Sequence, residues 1–248
     1  MTGKIHIGTS GWSYKHWKTI FYPPRLPATK WLEFYTQNFD TTELNASFYR
    51  LPLHQTVINW KKRVPKDFLF CVKMSRYLTH MKKLNDPEET LEKFFDVFEP
   101  LKSMMGPVLI QLPPSLKFKY DTADEFYSLL KKKYRKFEFV MEVRHTSWLE
   151  EVSLTLMSKH NIGLVISQSG DQFPYSEMIT AKTIYLRFHG PGELYASSYP
   201  DRMLFDFASK FKKWVSDGHE VWAFFNNDIH GHAIKDAKRL IAIIKKEQ

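Results

Sequence analysis

The sequence predicts an α/β protein folded as a single (β/α)8 barrel of the TIM type, and three observations support this. Eight short apolar segments alternate with longer amphipathic ones. The length of 248 residues suits one such barrel, and no repeat or low-complexity linker divides residues 1–248. An open doubly wound sheet usually carries a GxGxxG or GxxxxGK[ST] loop after its first strand, and neither motif occurs.

The strand predictions rest on runs rich in Val, Ile, Phe and Tyr that Gly, Pro or Asp bound. In order, they are 4–9, 41–46, 68–74, 108–112, 139–144, 163–167, 183–189 and 221–226. Helical spacing predicts helices at 28–38, 54–63, 87–104, 122–133, 148–160, 202–217 and 230–246. No long helical pattern follows the sixth strand, so an irregular connection is expected there.

Composition excludes several classes of protein. Hydrophobic residues at 43% and charged residues at 25% are globular values, which excludes a disordered, collagen-like or coiled-coil chain. No apolar run approaches the roughly 18 residues that span a bilayer, so no membrane association is expected. The N-terminus lacks a secretory apolar core, and the single cysteine, Cys71, cannot form an internal disulfide. A cytoplasmic protein is the expectation.

The formal charge of +9 favours an anionic partner, either a small molecule or a nucleic acid. Most lysine clusters fall on segments with helical spacing, where a solvated outer face is the simpler interpretation. The sequence carries no signal for an oligomeric state.

Polar side chains recur at the carboxyl ends of six predicted strands, the end at which barrels carry their sites. They are Glu43, Asn45, Lys73, Gln111, Glu142, Arg144, Arg187, His189, Asn226, Asn227 and Asp228. Because isolated charge in a barrel interior is costly, this recurrence predicts a functional site. The alternative is a ring of ion pairs, Glu43 with Lys73 and Glu142 with Arg144, that only closes the barrel.

The loop after the seventh strand predicts phosphate binding. Gly190 and Gly192 would let backbone N–H groups approach an anion, and Arg187 would add a bidentate contact. An ordinary turn is the alternative for the glycines, and a helix N-cap is the alternative for Asp228.

Aromatic residues crowd the first mouth loop and the segment after the seventh strand. Tyr14 and Tyr199 are the candidates for ligand contact, because polar or small residues flank them. The other rings, among them Trp17 and Phe21, are expected to pack and seal the loop.

Metal binding has little support in the sequence. His189, His230 and His232 lie near strand ends, but neither HExxH nor CxxC spacing occurs. No metal ligand is therefore predicted, the cofactor is unknown, and a divalent metal stays open.

Seven segments at the strand ends carry a family resemblance. They are IGTSGWSYKHW (7–17), TELNASFYRLP (42–52), the Thr79-His80 pair, GPVLIQLPPS (106–115), MEVRHTSW (141–148), YLRFHG (185–190) and FFNNDIHGHA (224–233). Together and in this order they resemble domain-of-unknown-function family 72, also called YecE-like, from residue 5 to about 240. The resemblance implies a TIM-barrel-like fold of uncharacterised activity and assigns no substrate.

By position, the resemblance implies that the family's recurrent polar residues include the strand-end residues above, together with His80 and His145. Two positions depart from the family pattern. Ser167-Gln168 stands where an acid is expected after the sixth strand, and Val143 stands where an aromatic is usual. The first departure weakens any mechanism that needs an acid there.

We expect an enzyme that hydrolyses a phosphate ester, such as a nucleotide or nucleic-acid phosphodiester. Glu142 would act as base and His189 as acid, and Lys73 would stabilise anionic charge; Glu43 completes the catalytic candidates. The substrate-binding candidates are Tyr14, Asn45, His80, Gln111, Arg144, Arg187, Gly190, Gly192, Tyr199, Asn226, Asn227 and Asp228.

Two alternatives remain open. A non-catalytic module could bind nucleic acid or a metabolite through the basic surface and the aromatic rings. A glycosidase-like hydrolase could use Glu43 and Glu142 as its carboxylate pair. Nearby Lys73 and Arg144 would keep both carboxylates ionised, which disfavours the glycosidase.

Overall fold

The computed structural model describes residues 3–246, and all eight predicted strands are present within them. All the recorded strand pairings are parallel. The strands are β1 (Ile5–Thr9), β2 (Thr41–Leu44), β3 (Leu69–Val72), β4 (Val108–Gln111), β5 (Phe139–Glu142), β6 (Ile162–Gln168), β7 (Thr183–Phe188) and β8 (Glu220–Phe225).

The predicted helices are also present, although three of them (28–38, 87–104 and 148–160) divide into a 3-10 segment and an α-helix. The α-helices are α1 (Trp31–Tyr35), α2 (Ala46–Tyr49), α3 (His54–Lys62), α4 (Glu88–Phe98), α5 (Tyr120–Lys133), α6 (Glu151–Lys159), α7 (Asp201–Ser216) and α8 (His232–Lys246). The sequence did not predict α2 or the π-helical turn Tyr77–Met81, since neither is long enough to show a period. No helix forms between β6 and β7, so the predicted irregular connection is confirmed.

The strands do not close into one hydrogen-bonded barrel, which corrects the predicted (β/α)8 architecture. Six of them form a curled sheet in the order β1-β8-β7-β6-β5-β4, and β2 pairs separately with β3. Two backbone hydrogen bonds join β3 to β4 beyond the ladders. Gly106 donates its N–H to the Phe70 carbonyl at 3.0 Å, and Met74 donates to Leu109 at 2.8 Å.

A tyrosine hydroxyl replaces the ladder between β1 and β2. Tyr35 accepts the Thr9 N–H at 3.0 Å and donates to the Thr41 carbonyl at 3.1 Å. The two strands approach closely at Gly8, where an added Cβ would lie 2.4 Å from the Thr41 oxygen. The seam therefore depends on a side chain from α1, on a residue without a Cβ, and on Thr42 Oγ1, which donates to the Thr9 carbonyl at 3.2 Å.

Side chains from six strands fill the interior enclosed by the sheet. The cluster contains Cys71, Leu109, Val140, Val165, Tyr185, Trp222 and Phe224. Alternation along each strand then places the next inward residue at the carboxyl end. The polar strand-end residues consequently lie above a packed apolar floor.

A cavity of about 790 Å³ opens at the opposite end of the sheet, where the strands begin. Its walls include His6, Asp40, Phe68 and Ile241. None of the predicted site residues lines it. Within residues 3–246, no helix is both long and apolar enough to cross a membrane.

We expect Tyr35→Phe to lower the free energy of unfolding by about 2 kcal/mol, because the Thr9 N–H would be left buried without its partner. Tyr127→Phe is the matched control. That buried hydroxyl donates only to the Met141 sulfur, at 3.2 Å, and its loss should cost less than about 1 kcal/mol. Urea unfolding measures both, and equal losses would contradict the role of Tyr35 at the seam.

Candidate functional site

The Arg187 guanidinium joins two buried carboxylates from opposite sides of the interior. It donates from Nε and Nη2 to Glu43, at 2.9 and 2.7 Å, and from Nη1 to Glu142 at 2.7 Å. Arg187 itself is 2% exposed. These contacts use both edges of the guanidinium, so Arg187 does not offer the bidentate phosphate contact that the sequence predicted.

Each carboxylate accepts four hydrogen bonds. Glu142 also accepts from Arg144 Nη2 at 2.6 Å and from Ser167 Oγ and His189 Nε2, both at 2.9 Å. Glu43 also accepts from the Tyr185 hydroxyl and from Asn45 Nδ2. With its oxygens so occupied, Glu142 is poorly placed to act as the predicted base.

The charges of this network stabilise each other. Burial alone would raise the pKa of Glu142, but Arg144, Arg187 and His189 hold that pKa well below its usual range. Burial opposes ionisation of Glu43 in the same way, and Arg187, then Lys73, lower its pKa. Both groups are therefore ionised at neutral pH, which removes the protonated carboxyl that a glycosidase needs.

His189 is a neutral, fully buried imidazole. Its Nε2 contacts Glu142, and its Nδ1 lies 3.1 Å from Asn226 Nδ2, so the contacts place the proton on Nε2. Burial is the main cause that lowers the pKa of His189 to about 4. A histidine with this pKa carries no second proton at pH 7, and it therefore fits the predicted role of general acid poorly.

Arg144 is a cation of the site that keeps buried donor atoms without a partner among the described residues. Its side chain is 3% exposed, and Nη2 pairs with Glu142 as predicted. Its Nε and Nη1 are buried and have no hydrogen-bond partner among the described residues. The guanidinium carbon lies 3.3 Å from the centre of the Phe173 ring, which fixes the plane of the group.

Lys73 does not pair with Glu43, so that predicted salt bridge is wrong. Its Nζ donates to Gln111 Oε1 at 2.7 Å and lies 4.2 Å from the centre of the Phe48 ring. Glu43 turns instead to Arg187, which offers two parallel donors. Burial, followed by the positive charge of Arg187, lowers the pKa of Lys73 to about 7.

The glycine loop uses its amides internally, which corrects the predicted phosphate cradle. Gly190 donates to the Tyr199 hydroxyl at 2.9 Å, and Gly192 donates to Ser197 Oγ at 3.0 Å. Gly190 has a φ of +112°, so the loop needs glycine there for its turn. Tyr199 is 1% exposed and also donates to Gln168, so it is a structural residue and no ligand contact.

The residues after β8 divide between two environments. Asn226 contacts His189 in the network, whereas Asn227 points away and donates to the Asp236 carboxylate at 2.8 Å. Asp228 lies 3.5 Å from His16 Nε2 and caps no helix through its side chain in the recorded contacts. Asn227 and Asp228 thus lie outside the cluster around Glu142.

The remaining candidates lie at the rim. Asn45 donates to Glu43 and keeps its Oδ1 without a partner among the described residues. His80 contacts Thr79 Oγ1 at 2.8 Å, and burial, followed by Arg76 and Lys73, lowers its pKa to about 4. The Tyr14 hydroxyl donates to the Ser10 carbonyl.

Three residues of the site were missed as functional candidates. Tyr185 lies two positions before Arg187 on β7, so alternation could have found it. Ser167 stands where the family pattern has an acid, and its hydroxyl donates to Glu142. An acidic side chain at this position would instead place a second carboxylate against Glu142. Phe173 lies in the irregular connection, where the sequence offers no signal.

The donor set around this cluster does not resemble a metal site. Within residues 3–246, no group of three or more His, Cys, Asp or Glu side chains is arranged to hold a metal ion. The two carboxylates face guanidinium groups, which occupy the oxygens that a cation would need.

Acid should destabilise the fold partly through His189. The unfolded chain gains a proton near pH 6.5, but the folded chain gains it only near pH 4. Between these values the unfolded state binds more protons, so the free energy of unfolding falls as the pH falls. His189→Gln should show a weaker fall between pH 6.5 and 4.5 in urea unfolding.

The exposed variant His54→Gln is the control for this measurement and should keep the wild-type pH dependence. Other buried groups, such as His6, titrate equally in all three proteins and cancel in the comparison. Parallel curves for wild type and His189→Gln would contradict the assignment of a neutral buried imidazole.

Comparisons with known proteins agree with the earlier resemblance. A family model described as "Protein of unknown function DUF72" matches residues 6–248. The chain is 24% identical over 276 aligned positions to the UPF0759 protein YunF of Bacillus subtilis, covering 98% of this chain and 95% of that protein. It is 29% identical to the UPF0759 protein YecE of Escherichia coli over 57% of this chain and 48% of that protein.

Solved structures show the same relationship. A DUF72 family protein from Thermotoga maritima superposes with a TM-score of 0.84 at 29% identity, covering 98% of this chain and 99% of that one. A DUF72 family protein from Enterococcus faecalis shares the fold with a TM-score of 0.83 at 19% identity, covering 97% and 95%. With a family model that spans nearly all of its length, this chain belongs to the DUF72 family of proteins of unknown function.

Proposed function

We propose that the protein is an enzyme that binds a small anionic substrate, a phosphate ester, at the carboxyl ends of its strands. The observation that carries this proposal is Arg144, a deeply buried guanidinium whose Nε and Nη1 have no hydrogen-bond partner among the described residues. A buried donor without a partner costs free energy, and an anion would supply the missing acceptors.

The charge of the cluster supports an anionic ligand. Three cationic side chains, Lys73, Arg144 and Arg187, surround two carboxylates, Glu43 and Glu142. One positive charge is therefore uncompensated whenever Lys73 is protonated. A phosphate or carboxylate group would balance it in a site where water is largely excluded and electrostatic attraction is strong.

The residues of the site fall into two groups, those that position other side chains and those that are available to a substrate. Glu43, Glu142 and Arg187 hold each other and position Arg144 and His189. Lys73 is the side chain available for chemistry, because its amine is partly neutral near pH 7. Glu142 and His189 offer little as base and acid for hydrolysis, so we propose a phosphate-ester substrate without assigning the hydrolase class.

Non-catalytic nucleic-acid binding is the second candidate, and exposed aromatics favour it. Tyr49 is 80% exposed and Tyr77 is 50% exposed, and each lies beside an exposed arginine, Arg50 and Arg76. Such a surface can stack on bases and contact phosphates. Binding of this kind would fall steeply with salt and would not depend on Arg144.

Arg144→Gln should weaken the binding of inorganic phosphate by about 10-fold to 100-fold, the range for a lost charged hydrogen bond. Isothermal titration calorimetry measures the affinity, and circular dichroism checks that the variant folds. Arg76→Gln, at an exposed arginine, is the matched control and should bind phosphate as the wild type does. Equal affinity in wild type and Arg144→Gln would remove the basis of the proposal.

A further inference from the structure

We propose that Lys73 is a nucleophile that forms a Schiff base with a carbonyl group of the substrate. The substrate class would then be an anionic aldehyde or ketone, such as a phosphorylated carbonyl compound. The anionic part of this inference rests on the proposed function, in which Arg144 binds the negatively charged group. The reaction at Lys73 rests on the surroundings of that lysine.

The position of Lys73 separates it from the other cations of the site. It follows β3 and is 7% exposed, and yet no carboxylate of the described residues lies within ion-pair distance of its Nζ. One hydrogen bond, to Gln111 Oε1, and the face of the Phe48 ring are its recorded contacts. Arg187, by contrast, is held by three hydrogen bonds to carboxylates.

The charged groups around Lys73 explain why its amine is available. They are Glu43, Glu142, Arg144 and Arg187, and the rim residue His80 also senses its charge. Burial and Arg187 favour the neutral amine, and the two carboxylates oppose them, which leaves the pKa at about 7. A lysine desolvated beside other cations is the type of amine that attacks carbonyl groups at neutral pH.

The proposed step needs only the amine and the carbonyl compound. The Nζ lone pair forms a bond to the carbonyl carbon, the carbonyl π electrons move to its oxygen, and one proton passes from Nζ to that oxygen to give the carbinolamine. The C–O bond then breaks, the hydroxyl leaves as water with the second proton of Nζ, and the nitrogen lone pair completes the C=N bond. The product is an imine of Lys73 and one molecule of water, and no oxidant or reductant takes part.

The neighbours of Lys73 suit this step. Gln111 Oε1 accepts one N–H of the amine and has no acidic proton, so it orients Nζ without consuming the lone pair. The protonated imine is a cation, and the charges of Glu142 and Glu43 favour a cation at this position. The amide therefore orients the neutral amine, and the two fixed carboxylates stabilise its cationic adduct.

The test traps the imine with sodium cyanoborohydride at pH 7, using the intact protein and two matched probes. Glycolaldehyde phosphate carries both a carbonyl and an anionic group, whereas glycolaldehyde lacks the phosphate. Peptide mapping by mass spectrometry measures the labelling rate at each lysine. We expect glycolaldehyde phosphate to label Lys73 at least 10-fold faster than exposed lysines such as Lys131 and Lys132. Added inorganic phosphate should slow the labelling of Lys73 and leave the labelling of the exposed lysines unchanged.

The outcomes separate this inference from the proposed function. If both probes label Lys73 rapidly and phosphate does not compete, the nucleophile stands and the anion site fails. If calorimetry shows phosphate binding but Lys73 reacts no faster than exposed lysines, the nucleophile is overturned and the anion site stands. Lys73→Met should lose the rapid adduct and Lys132→Met should keep it. Because the map is made on wild-type protein, the result holds even if Lys73→Met does not fold.

Discussion

A single buried arginine, Arg187, sets the geometry of the whole candidate site. Glu43 and Glu142 come from two separate sheets, and buried carboxylates cannot stay ionised in the interior unless a cation compensates both. The guanidinium of Arg187 does so with three hydrogen bonds and thereby ties β2 to β5 through β7. Glu142, once fixed, orients Arg144 and His189 in turn. Removal of either carboxylate would leave an unpaired charge and loosen every group above the apolar floor.

Arg187, the most completely paired cation of the network, is therefore unsuited to bind a ligand. Arg144 and Lys73 keep donors that a ligand could use. Arg187 is saturated, and its pKa is raised above the usual range because burial is outweighed by Glu142 and Glu43. Arg144 and Lys73 are only partly satisfied. In a site of this kind, rigid paired side chains hold the geometry. They position a few other side chains whose hydrogen-bond donors or nucleophilic amine remain available to a ligand.

The sequence predicted those parts of the molecule that depend on local patterns. Short apolar runs located all eight strands, and alternation placed Glu142 with Arg144 on one face. The open seam could not be predicted, because it depends on Tyr35 meeting strands distant in sequence. Alternation along a strand likewise predicts the face on which a side chain lies, but not the residue that it contacts. For this reason the sequence predicts a salt bridge between Glu43 and Lys73 that does not form. The position of Phe173 over Arg144 required the path of an irregular segment.

The strand order also constrains how the chain can fold during synthesis. β1 finds its ladder partner in β8, so a strand that ends at Thr9 must wait for one that begins at Glu220. At a ribosome speed of about 5–20 residues per second, that delay lasts roughly 10 to 40 seconds. β2 and β3 can pair much earlier. The backbone N–H and C=O groups along the first strand therefore stay without their ladder partners until β8 has been synthesised.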